Sequence, residues 1–184
     1  MKSLILLVLL ALFIENSNGQ INKLCEPTYT STIGQILSEL KSQGQTGFSL
    51  TNKETNKNYE GYRICEHDYL KVDSLNGLLI NSQIDTLLNC ANGTLKAVGF
   101  ILFAKRHNYK DSVIKKLSEI LSQDYIVMAS SCSDAISYSN IARYCYNLLT
   151  NDNFFFKPNF QLNRADKIRI ERNMGFYERA ILDN

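Results

Sequence analysis

The order of apolar and polar runs in this 184-residue chain predicts an α/β fold: a single domain with a mixed central β-sheet flanked by helices on both faces. Three observations lead to that expectation. The run 95-LKAVGFILFAK-105 is nearly all apolar and follows a turn signal, so it reads as a buried central strand. Downstream, Val113, Ile114, Leu117, Ile120 and Leu121 recur at helical spacing over a stretch long enough for a crossover helix. A second β-prone run, 124-DYIVMASS-131, comes next, so the two strands are expected to lie parallel with a right-handed connection. The run 135-AISYSN-140 then returns antiparallel as a hairpin.

The elements fall in order around that unit. Residues 4–14 contain no polar side chain, follow Lys2 and precede the small residues Ser17 and Gly19. This three-part pattern predicts a signal peptide over residues 1–19, cleaved to leave Gln20 first. Eleven apolar residues are too few to cross a bilayer, which takes about 20. The mature chain is therefore expected to be secreted and extracellular, with no membrane-spanning segment. Residues 20–64 form a polar N-terminal region in which Ile33, Ile36, Leu37 and Leu40 mark one short helix, stopped by Gly44 and Gly47. Residues 48–50 and 57–64 can pair as short strands. Within the main domain, residues 65–184, the stretch 66–74 is polar and turn-like. Asp73 or Ser74 then caps one helix whose apolar positions run from Leu75 through Leu88 to Cys90. After the hairpin, residues 141–149 and 163–183 read as helices, separated by an aromatic loop around Pro158.

Charge and cysteine content limit the chemistry. Twenty Lys and Arg against 18 Asp and Glu leave a net charge of +2, without the concentrated cationic face that a nucleic-acid partner requires. The five cysteines of an exported chain should be mostly oxidised. Their odd number gives two bridges and one leftover. Local loop closure predicts Cys65–Cys90 and Cys132–Cys145, leaving Cys25 over. No Cys-x2-Cys pair suggests zinc. The sequon Asn92-Gly93-Thr94 looks like a surface turn suited to glycosylation.

Neither histidine sits in a catalytic motif. Cys65-Glu66-His67 is read as a bridged cysteine beside a solvated His67, and His107 as part of a surface basic cluster with Lys105 and Arg106. Asp124 and Asp134 flank the hairpin strand and are the candidates for calcium or for an acid–base pair. No other cofactor and no catalytic residue follow from the residues.

The segment from Cys65 onward resembles the TPM domain, and within it the modulators of the levamisole-sensitive acetylcholine receptor. The likeness rests on 65-CEHDYL-70, the helix ending 84-IDTLL-88, the run 97-AVGFILFAK-105, the hairpin 125-YIVMASSCSDAISYSN-140 and the closing 174-MGFYERAILDN-184. The resemblance covers roughly 120 of 184 residues. It implies a TPM-like α/β fold and a secreted, non-catalytic binding or modulatory protein that acts on a membrane receptor or another extracellular protein. The family's acid-acid-Arg turn is replaced here by 131-SCSD-134. The alternative is a secreted weak phosphatase that uses Asp124 and Asp134, with Lys105 or Arg106 supplying positive charge.

Overall fold

The run at 95–105 is a helix, and this overturns the expected α/β architecture. A continuous apolar run fits a buried strand or a buried helix equally well by periodicity; length separates them, because strands take 4–8 residues and helices 10 or more. Helix α4 here spans Gly93–Arg106, 14 residues. Asn92 starts it: its side-chain oxygen accepts a hydrogen bond from Leu95 N at 3.1 Å. Every residue from Gly93 to Ala104 is buried, so the place assigned to a central strand is held by a helix that is covered all round. The segment that carried the likeness to the TPM strand is therefore helical.

The computed structural model describes residues 24–28, 30–52, 57–123, 127–129, 138–150 and 157–182. Around α4 lie α1 (Thr32–Gly44), α2 (Tyr69–Leu78), α3 (Asn81–Leu88), α5 (Lys110–Gln123), α6 (Ile141–Thr150) and α7 (Arg164–Leu182). Among the described residues four strands form a small ladder in the order β1 (Gln45–Asn52), β2 (Lys57–Tyr62), β3 (Val127–Ala129) and β4 (Tyr138–Asn140). The β1–β2 and β3–β4 pairs are antiparallel, while β2 and β3 are parallel through Gly61–Val127 and Tyr62–Met128. Met128 is the ladder's contribution to the buried apolar core among the described residues; the helices supply nearly all the rest. Among the described residues the protein is helical with a strand ladder beside the helices, and no sheet lies at the centre. No helix among the described residues is long and apolar enough to cross a membrane.

The single helix expected to run to Cys90 is two. Leu79 and Ile80 are extended, with ψ of 145° and 164°, so α2 stops and α3 starts afresh. The Gln83 side chain accepts from Ile80 N at 3.0 Å, which satisfies a donor at the new N-terminus. Arg106, at the end of α4, secures the break. Its Nε donates to Asn76 Oδ1 at 2.9 Å, Nη1 to Asn81 Oδ1 at 3.0 Å, and Nη2 to the carbonyls of Leu79 (2.7 Å) and Asn76. The helix also begins earlier than expected, at Tyr69, after a 3-10 turn over Glu66–Asp68.

Two glycines show how closely the helices pack. A Cβ on Gly99 would lie 2.7 Å from Leu88 N and 2.9 Å from Leu87 Cβ, so α3 and α4 cross where a side chain cannot fit. Gly44 ends α1 directly against the Thr94 side chain in the first turn of α4. On the far side, Asn163 and Asp166 cap α7 reciprocally: Asp166 N donates to Asn163 Oδ1 at 2.8 Å and Asn163 N to Asp166 Oδ2 at 3.2 Å. Lys110 Nζ reaches the same Asp166 oxygen at 2.8 Å and ties α5 to α7. Tyr146 OH donates to Glu171 Oε1 at 2.6 Å and ties α6 to it as well.

Two measurements check this packing. Gly99→Ala should lose about 1–2 kcal/mol in chemical denaturation, because overpacking against Leu88 backbone outweighs the gain in helix propensity. Gly77→Ala, where a Cβ meets open space, should instead gain about 0.5–1 kcal/mol. The hydrogen bond from Lys110 holds the Asp166 carboxyl below its usual range, with partial burial opposing and the Asn163 backbone N–H assisting. Its folded pKa is thus lower than its unfolded one, so the stabilisation is present above the unfolded value and lost as pH falls through the folded value. Stability of the wild type should therefore drop more steeply than that of Asp166→Asn across about pH 4 to 2.

Candidate functional site

Helices α2 and α4 meet along ridges three and four residues apart, and a cleft of about 260 Å³ opens between them. Tyr69, Leu70, Val72 and Asp73 line it from α2; Ile101, Leu102 and Lys105 line it from α4. Val72, Ile101 and Leu102 are buried and make an apolar floor. Leu70 stands at the wall with 82% of its surface exposed, the most exposed large apolar side chain among the described residues. At the lip the Lys105 ammonium pairs with the Asp73 carboxylate, both side chains more than one-third exposed. Such a surface pair is worth about 0–1 kcal/mol, so an incoming charged group can displace either partner at little cost.

The basic cluster at the end of α4 divides by role. Arg106 is committed to the α2–α3 break. The His107 ring stacks on Phe103 at 3.8 Å and its Nδ1 lies 2.9 Å from the Phe103 carbonyl oxygen. Of the three, Lys105 is the one held by a single exposed side-chain partner. A turn over residues 66–74 and a strand over 95–105, as the sequence predicts, leave no such cleft, so it is not expected from the sequence. The signal was present in the apolar spacing Tyr69, Val72 and Leu75, three residues apart each time.

The expected bridges do not form. Cys25 is bonded to Cys90, with Cα atoms 5.3 Å apart, and Cys145 is a free, buried thiol. This corrects both the Cys65–Cys90 and the Cys132–Cys145 pairing: the fold brings the segment before α1 to the α3–α4 link, and contact in space outranks proximity in sequence. Closing 65 residues of chain stabilises by about 4 kcal/mol on the chain-entropy scale. Cys65 is also disulfide-bonded, while Cys132, Asp124 and Asp134 lie outside the described residues. Burial pushes the Cys145 thiol well up, with the charge of Lys96 acting the other way. Lys96 is itself buried in α4.

Cys65, His67 and Asp68 bring one sulfur, one nitrogen and one oxygen within 4.8 Å of one another. They do not fit a metal ion. The Cys65 sulfur is spent in its disulfide and offers no thiolate. Lys71 Nζ lies 3.5 Å from Asp68 Oδ1 and 3.2 Å from Glu39 Oε2, placing a positive charge beside the acid a cation would need. His67 is 3.6 Å from the other Asp68 oxygen and largely exposed, as a solvated histidine.

The thiol arrangement is checked by peptide mapping without reduction. It should return Cys25 linked to Cys90, Cys65 in a disulfide, and Cys145 free. In the native protein Cys145 should resist a thiol-alkylating reagent that labels it fully once the chain is denatured.

No family model, curated protein or solved structure matches the chain.

Proposed function

We propose that this is an exported, non-catalytic binding module whose α2–α4 cleft accepts one apolar side chain of an extracellular protein partner, such as the outer face of a membrane receptor. The observation that carries the reading is the cleft itself. At about 260 Å³ it falls below the roughly 300–1,000 Å³ of pockets that enclose a whole small ligand. It has room for one anchoring side chain. Its wall extends into the exposed Leu70, and its lip offers a weakly paired cation and anion that can re-pair with charges flanking the anchor. An apolar centre within a polar rim is the usual anatomy of a protein-binding hot spot.

The likeness to receptor modulators supports the partner class alone, since the α/β fold it implied is not the one adopted. No observation favours the phosphatase alternative. Arg106, one of the two cations suggested for it, is committed to four hydrogen bonds within the fold.

The test is capture of a partner by the tagged chain from its own tissue, followed by binding of that purified partner to variants. Leu70→Asp should weaken binding by about 30-fold, the scale of one hot-spot residue, with an unchanged circular-dichroism spectrum and melting temperature. Lys105→Glu should weaken it less, and in a salt-dependent way. Unchanged affinity in both variants would exclude this cleft. Hydrolysis of a generic phosphomonoester should match a buffer blank, and reproducible turnover lost in Asp134→Asn would favour the phosphatase instead.

A further inference from the structure

The sequon Asn92-Gly93-Thr94 is built into the start of the central helix. Asn92 is 8% exposed, and its side-chain oxygen is the cap that receives Leu95 N at 3.1 Å. Thr94 is 1% exposed; its hydroxyl donates to the Arg63 carbonyl at 3.2 Å, and its side chain abuts Gly44. Gly93 between them is buried too. Two residues before Asn92, Cys90 is 1% exposed and bonded to Cys25, which fastens the approach to this turn.

Sugar transfer replaces an N–H bond of the Asn amide by an N–C bond to the anomeric carbon of a lipid-pyrophosphate-linked oligosaccharide. The lipid pyrophosphate leaves and the amide proton passes to a base of the transferring enzyme. The acceptor must be an accessible Asn-x-Thr segment, and the product carries a large hydrophilic group that needs solvent around the amide. In the closed fold Asn92 as a residue is more than nine-tenths buried with its side-chain oxygen engaged in the cap, and the Thr94 side chain is packed against Gly44 at the end of α1. We infer that glycosylation of Asn92 and closure of the Cys25–Cys90 bond around α4 exclude one another, so that the folded protein leaves its single sequon bare. A sugar attached before folding would keep Asn92 out of its cap and the Cys90 turn open. The inference rests on the export reading, because only a translocated chain meets the transferring enzyme.

The experiment expresses the full chain in a glycosylating eukaryotic host, once with its own N-terminus and once behind a leader of proven function. Each version carries a C-terminal reporter sequon. A bare reporter with the native N-terminus overturns the export reading alone, since the second version still reports on Asn92. In that version the secreted protein should carry sugar on the reporter only, with Cys25 bonded to Cys90. Cys90→Ser should gain a second glycan, removed by a peptide-N-glycosidase and abolished by adding Asn92→Gln. If this variant is retained in the cell, the intracellular pool is analysed in the same way. Secreted protein with both a glycan on Asn92 and an intact Cys25–Cys90 bond overturns the inference. So does a Cys90→Ser chain whose Asn92 stays bare while its reporter is modified.

Discussion

Burial of α4 on all its faces is the constraint from which the other elements take their places. Twelve consecutive residues, Gly93 to Ala104, are removed from water, and large apolar side chains such as Phe100, Leu95 and Leu102 each favour burial by roughly 1.5–3 kcal/mol. A helix with no polar face cannot lie at a surface, so it must be wrapped. Helices α1, α2, α3 and α6 supply the wrapping, and residues of the β2–β3 ladder touch it as well. Where the wrapping is tightest, side chains are absent: Gly99 admits α3 and Gly44 admits Thr94. Packing at crystal-like density leaves no room for error at such crossings.

Both ends of α4 are fastened by means that differ in kind. At the N-terminus the fastening is covalent and backbone-based: the Cys25–Cys90 bond, the Asn92 cap and the Thr94 contact to Arg63 all fall within five residues. At the C-terminus it is a single guanidinium that reads two carbonyls and two amide side chains at once. Those carbonyls belong to the end of α2 and its link to α3, groups left over by helix ending and otherwise in need of water. The break between α2 and α3 is thus stabilised by α4 and not by any strong stop signal of its own.

The cleft follows from these two fastenings. Arg106 fixes the end of α2 against the end of α4, and the interhelical face upstream of it stays partly open. Lys105 lies one residue before Arg106 and therefore faces the lip, while Ile101 and Leu102 lie one turn earlier and form the floor. Binding and stability are in this way separated by one residue along the helix: Arg106 serves the fold and Lys105 is left to exchange partners.

How much of this was legible depends on the kind of signal. The helix at 32–44 was readable from the spacing of Leu37 and Leu40, and the helices over 110–123 and 141–150 from their one-sided apolar patterns. The run 95–105 carries only Lys96 and Lys105, nine residues apart, too few polar side chains to set a period, so its conformation depends on length and on the Asn92 cap, where the sequence shows only a sequon. Cysteine pairing was illegible for another reason: sequence separation sets the entropy of closing a loop, but which sulfurs meet is decided by the packing of distant segments, and Cys25 meets Cys90 only because both lie beside the start of α4. Composition, charge and the apolar stripes determined by themselves that the chain folds and which faces it buries. Tertiary structure alone decided that the most apolar segment is a helix, that the sequon is a cap, and that a cleft opens beside Leu70, because each of these depends on which surfaces remain once α4 has been covered.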